Sequence, residues 1–312
     1  MKKPFFGLYI LYLMLLVYGI TLSWFLYVGP YTTRNVDKLI QQQHQRIVIS
    51  LTTTPHRIDK LKNTLDSLLA QSIQVDQLYL NIPYHFKRDN IPYVVPNWLE
   101  KYPGITINRV EDFGPITKLL STLQYETDPN TIIITVDDDV WYPRHVVRDL
   151  VHYALQHPDV VVTPLNVNFS LNKNYDLQDI AYKFKHGSRG LLVVGAAGVA
   201  YRRGFFADDF ADMLKKMPPI CALADDLMLS LYLKANNITV AQTTRHSLNP
   251  LIVPFTYKKL AYGFAPDALS FAHHDFTANP QNYAKCLREM DHIGMQHLVK
   301  PLNVYSKQGD SW

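Results

Sequence analysis

An α/β fold with a mostly parallel sheet and helices on both faces is predicted by three features of this chain. From Arg46 onward, strand-like apolar runs alternate with stretches of helical spacing, the pattern of repeated βαβ units whose crossover helices cover the sheet. One run, Thr131 to Val136, is β-branched on both faces, as suits a strand buried between layers. That run drives into Asp137-Asp138-Asp139, and open α/β sheets bind ligands outside the carboxyl ends of their strands.

Residues 1–4 form a short tail containing Lys2 and Lys3, and residues 5–28 carry no charge and are rich in Leu, Phe, Tyr and Ile. As a helix the second stretch spans about 36 Å at 1.5 Å per residue, enough for a hydrocarbon core of about 30 Å. One transmembrane helix is therefore expected ahead of the α/β domain. A cleaved signal peptide would have a shorter apolar core and a small-residue cleavage site. Lys2 and Lys3 favour a cytoplasmic amino terminus, a lean toward type II topology, although Arg34, Lys38 and Arg46 nearly balance them. Residues 29–45 are polar and read as a stem or a short helix, leaving residues 46–312 as the folded domain.

Within that domain, Arg46 to Leu51 reads as a strand, Asp59 to Ala70 as a helix and Gln77 to Ile82 as the next strand. Thr106 to Val110, Thr117 to Tyr125 and Thr131 to Val136 continue as strand, helix and strand. Pro143 to Gln156 carries one apolar stripe and is predicted as an amphipathic helix opened by proline. Val160 to Thr163 is another short strand, whereas Asn166 to Arg189 is polar without a clear period and is expected to be a covering loop. Leu191 to Tyr201 contains Gly195-Ala196-Ala197-Gly198, small residues that leave room for a close neighbour. Asp225-Asp226 open a helical run that ends before Asn236-Asn237.

Composition narrows the function classes. At 312 residues and 47% apolar the chain builds a substantial core. A net charge of +4 with scattered Lys and Arg gives nucleic acid little to bind, while an anionic small substrate remains compatible. Cys221 and Cys286 have neither CxxC nor zinc-type spacing, so no cysteine metal site is indicated and one disulfide between them stays open. Asn168-Phe169-Ser170 and Asn237-Ile238-Thr239 match glycosylation acceptors.

Three adjacent carboxylates repel one another unless a cation or hydrogen-bond donors sit among them, and a divalent cation is the simplest answer. The alternative is an acidic turn before the helix near Pro143. Asp225 and Asp226 admit two readings as well, because carboxylates at a helix amino terminus are favoured by the macrodipole alone.

The order of parts adds weight. Ile47 to Arg57, Asp112-Phe113-Gly114-Pro115-Ile116-Thr117-Lys118-Leu119, Ile133 to Asp139 and Ala224-Asp225-Asp226 together resemble the nucleotide-sugar glycosyltransferases of the GT-A fold, a Rossmann-like architecture, and particularly family 2-like enzymes. The stretch from Gly195 through Met217-Pro218 to Asp226 also resembles the exostosin-type branch. The resemblance implies a metal-dependent transferase that moves a sugar, probable donor class UDP-sugar, to a hydroxyl of a glycan, protein or lipid acceptor. It implies Mn²⁺ or Mg²⁺ at Asp139 with Asp137, Asp137 lying nearer the nucleoside and Asp138 in either role. It places Thr52, Thr53, Thr54 and Arg57 at the nucleobase and phosphates, Asp112 at the base and Lys118 over the diphosphate. Asp226 or Asp225 would be the base that deprotonates the acceptor, with His273 or His274 added to the metal shell. The implied cation would stabilise the charge of the departing nucleoside diphosphate. Two rivals are an inactive glycan-binding protein of the same fold and another Mg²⁺-dependent nucleotide-using transferase; the latter would be expected to show a Gly-rich phosphate loop, and none is present.

Overall fold

The computed structural model describes residues 5–27, 33–43, 45–164, 166–171, 177–183, 189–190, 192–243, 258–259 and 278–294. Two compact units divide the chain, residues 1–43 and residues 44–312. The first holds helices α1 (Phe5–Tyr27) and α2 (Thr33–Gln43). The polar stem is thus helical for most of its length.

The expected membrane span of residues 5–28 is not supported, although a helix does form there. The helix forms and is uncharged, and Tyr9, Leu11, Met14, Leu15 and Ile20 are exposed along it. However, its described side chains run only from residue 9 to residue 21, about 20 Å at 1.5 Å per residue. Among the described residues no helix is long and apolar enough to cross a membrane.

The second unit runs β1 (Ile47–Thr52), α3 (Lys62–Leu69), β2 (Gln77–Pro83), β3 (His85–Phe86), β4 (Ile91–Pro92), α4 (Asn97–Glu100) and β5 (Thr106–Val110). It continues with α5 (Thr117–Leu120), α6 (Thr122–Tyr125), β6 (Ile132–Thr135), β7 (Val140–Trp141), α7 (Val146–Gln156) and β8 (Val160–Thr163). Next come β9 (Asn166–Leu171), β10 (Leu177–Lys183), β11 (Arg189–Gly190), β12 (Leu192–Val193), β13 (Val199–Arg202) and α8 (Phe210–Lys215). The described elements end with α9 (Asp225–Ala235), β14 (Thr239–Gln242), β15 (Lys258–Lys259) and α10 (Ala278–His292).

Eight strands form one sheet in the order β11-β14-β8-β13-β6-β1-β2-β5. The run β6-β1-β2-β5 is parallel, as is β14 beside β8, whereas β13 is antiparallel to both β6 and β8. The mostly parallel sheet is as expected. Its central strands are buried throughout: Ile47, Val48, Ile49, Leu51, Ile132, Ile133 and Ile134 are all at 0% exposure. On one side they pack with Leu119, Tyr201, Phe206, Phe210, Leu229 and Tyr232.

Two sequence expectations change, and one open alternative is settled. The helix predicted to open at Pro143 starts at Val146, because Val146 N–H donates to the Pro143 carbonyl at 3.1 Å in a turn that precedes it. Asn166 to Arg189 is not simply a loop: β9 and β10 form an antiparallel hairpin, which β12 extends. Val167, Phe169 and Leu171 alternate with polar residues along β9, the period of a strand, and the reading of the stretch as a loop passed over it. Finally, Cys221 and Cys286 form a disulfide across a sequence separation of 65, within a second apolar cluster that includes Leu227, Leu231 and Leu287.

Candidate active site

The acidic triplet leaves the sheet at the end of β6, where the parallel half meets antiparallel β13. Its three carboxylates turn to two different cations. Asp137 accepts from Lys118 Nζ at 2.7 Å, whereas Asp138 and Asp139 accept from Arg57 Nη1 at 2.9 and 3.2 Å. Thr53 Oγ1 also donates to Asp138, at 2.7 Å, and Thr64 Oγ1 to the Asp138 carbonyl, at 2.8 Å. Asp138 and Asp139 are buried together with Arg57, so the first-strand segment and the last two carboxylates of the triplet form one buried ion-paired corner.

Lys118 is the hinge of the second half. Its ammonium lies 2.7 Å from Asp137 and 3.5 Å from Asp225, at 6% side-chain exposure. Burial pulls this ammonium down, but Asp137, Asp225 and Asp226 outweigh it and hold it well above the usual lysine range. The two aspartate groups, more than eighty residues apart in sequence, therefore meet at one lysine. The backbone of α5 fixes that lysine: the Lys118 carbonyl accepts from Ser50 Oγ, and Ser50, Thr122 and Asn81 interlock beneath it at 2.6 to 3.0 Å. These are small buried polar groups on β1, β2 and α6, all satisfied by one another, which is what a rigid buried network requires.

Gly195 closes the cluster. Its N–H donates to Asp226 Oδ1 at 3.1 Å, and a Cβ there would lie 3.1 Å from Lys118 Nζ and 3.3 Å from Asp226 Oδ1. The small-residue run expected to admit a close neighbour does so here. Burial, then the neighbouring Asp225, pushes the Asp226 carboxyl well above the usual carboxylate range, against the opposing pull of Lys118. A carboxyl so placed holds a proton more readily than an exposed one, which suits a group that must accept one.

Asp112 points elsewhere, accepting from Lys87 N–H at 2.8 Å and Gly114 N–H at 2.7 Å. It thus shapes the Gly-Pro turn that leads into α5. Thr52 Oγ1 donates to the Asn81 carbonyl, and the buried Thr54 hydroxyl has no hydrogen-bond partner. His273 and His274, like His246, lie outside the described residues. Sequence reasoning missed Tyr142, whose hydroxyl accepts from Asp137 N–H at 2.8 Å and donates to the Ala196 carbonyl at 3.2 Å. That phenol ties the triplet to the Gly195 turn. Its position directly after Trp141, at the end of the triplet, was the available signal. Tyr93 was missed too; its hydroxyl donates to the Thr53 carbonyl at 2.7 Å.

The carboxylates supply the oxygen donors that Mn²⁺ and Mg²⁺ prefer. As arranged, however, they face Lys118 and Arg57, and among the described residues no three Asp, Glu, His or Cys side chains are grouped to hold a metal ion. Asp137 and Asp139 would supply only part of such an ion's oxygen shell, and within the described site the carboxylates are paired with Lys118 and Arg57.

A sequence model described as glycosyl transferase family 2 matches residues 51–213, just over half of the 312 residues. That stretch contains the first-strand threonines, Lys118, the triplet and Gly195. No curated protein gives a match, and the exostosin-type likeness of the second half is not shown.

Proposed function

Because the chain belongs to glycosyl transferase family 2, we propose that it moves a sugar from a nucleotide donor, a UDP-sugar, to a hydroxyl of a glycan, protein or lipid acceptor. The observation that carries this reading is the convergence of Asp137, Asp225 and Asp226 on the buried Lys118. Lys118 and Arg57 offer positive charge to the donor's diphosphate, and a cation already in place stabilises charge developing on a leaving group without reorganisation. In a direct displacement the acceptor oxygen bonds to the anomeric carbon, the sugar–phosphate bond breaks and the nucleoside diphosphate leaves. Asp226 takes the acceptor's proton. Gly195 N–H donates to Asp226 and the Lys118 charge attracts it, holding it in place for that step.

If the Mn²⁺ or Mg²⁺ implied by the resemblance binds, Asp137 and Asp139 would hold it, and it would supply positive charge to the departing diphosphate. Turnover unchanged by a chelator would remove it from the scheme. From the uncharged sequence of residues 5–28, we propose that this segment anchors the chain to a membrane, in the type II orientation to which Lys2 and Lys3 lean.

The direct test measures nucleoside diphosphate release and sugar transfer across a panel of nucleotide sugars. Asp226→Asn is expected to lower turnover by about 10²–10⁴-fold, the usual contribution of a positioned base, while still binding UDP. Unchanged turnover in that variant would move the base elsewhere.

A further inference from the structure

Two features stand outside the proposed transfer: the Cys221–Cys286 disulfide and the Asn237-Ile238-Thr239 motif. The disulfide joins the turn before α9 to α10, and both cysteines are buried, at 2% and 0% exposure. Structural disulfides persist where the surroundings oxidise and are rare in a reducing cytosol. The second unit therefore belongs in an oxidising compartment.

Asn237 sits on the surface of that unit, in the turn between α9 and β14. Its φ of 57° is left-handed, a conformation that asparagine tolerates better than most residues. Asn237 N–H donates to the Lys234 carbonyl at 3.1 Å and Ile238 N–H to the Leu233 carbonyl at 2.8 Å. The backbone is thus tied down while the residue stays exposed and Thr239 stays partly exposed. The other acceptor motif differs, because Asn168 lies inside β9 and pairs in register with Ala181 of β10.

We propose that Asn237 carries an N-linked glycan, on a domain that faces the oxidising side of a membrane. The co-substrate is a lipid-linked oligosaccharide diphosphate. The Asn237 amide nitrogen forms a bond to the anomeric carbon and loses one proton, the sugar–phosphate bond breaks, and the lipid diphosphate leaves with the bonding pair. This modification does not depend on the protein's own transfer activity, so the two ideas fail separately.

The test is synthesis of the full chain in the presence of endoplasmic-reticulum microsomes, followed by digestion with an amidase that removes N-glycans. A single mobility shift, reversed by the amidase, is expected in the wild type. It should vanish in Asn237→Asp, which keeps a side chain suited to the left-handed turn, and in Thr239→Ala, and persist in Thr239→Ser. No shift in the wild type, or a shift that survives Asn237→Asp, overturns the proposal.

Discussion

Lys118 is an ammonium at 5% exposure, and a buried charge persists only when paired and hydrogen-bonded. Asp137 and Asp225 supply the pairing, so its removal leaves several carboxylates facing one another. Lys118→Ala is expected to cost about 3–5 kcal/mol of stability, the typical loss when one partner of a buried pair is deleted, and to abolish turnover. Lys118→Arg keeps the charge but not the compact shape, and should recover folding without full activity; thermal unfolding and turnover measured together separate the two effects. Gly195→Ala makes a finer probe. Its methyl group would press on Lys118 Nζ and Asp226 Oδ1 from 3.1 and 3.3 Å, so turnover should fall while the unfolding temperature changes little. Wild-type turnover there would show that the turn tolerates a side chain and that close approach is not needed. At this scale the residue types were legible in sequence, since both acidic groups and Lys118 stand out from their neighbours. Which carboxylate meets which cation was not, because the Asp138 and Asp139 pairing with Arg57 depends on how β1 and β6 lie side by side.

The elements that carry these residues are held by buried polar contacts as well as by packing. Arg46, just before β1, grips Glu126 at the end of α6 through both carboxylate oxygens at 2.7 and 2.8 Å, and Tyr79 of β2 adds a third hydrogen bond at 2.9 Å. Burial alone would raise the Glu126 carboxyl, but Arg46 and Tyr79 outweigh it and hold it below the usual range. A carboxyl depressed by folding contributes stability above its unfolded value, near pH 4.3, and loses it as pH falls through the folded value. Glu126→Gln should therefore be less stable than wild type near neutral pH, with the gap narrowing below about pH 4. A constant gap in denaturant unfolding across that range would contradict the assignment. Strands with continuous β-branched runs were legible element by element, as β1, β6 and β8 show. The β9–β10 hairpin was missed although Asn166–Leu171 alternates polar and apolar residues, because the irregularity between Leu177 and Asp179 breaks that period in β10. The start of α7 was missed too, where Pro143 belongs to the turn before the helix.

Across the whole molecule, one covalent link bears on the turn that leads into the second acidic pair. The disulfide closes a 65-residue separation between the turn preceding α9 and α10, and nothing in the spacing of two lone cysteines could announce it. Its reduction should lower stability by about 2–4 kcal/mol and loosen the turn from which Asp225 and Asp226 emerge. Unfolding midpoints that coincide with and without reductant would deny the bond a structural role. The proposed anchor is tested at this scale too: if residues 5–28 are embedded, the full chain should sediment with membranes and resist extraction by high salt and alkaline carbonate, and release by salt alone would refute it. A separate cavity of about 330 Å³ lies between α8 and α9, lined by Met213, Met217, Met228 and Tyr232 and by none of the site's aspartates. It offers an apolar alternative position for a ligand. The most direct measurement is therefore a crystal structure with UDP bound. The account places the diphosphate beside Lys118 and Arg57, with Asp226 facing the space where the sugar would begin; UDP in the methionine-lined cavity, or bound with its phosphates away from Lys118, would contradict it.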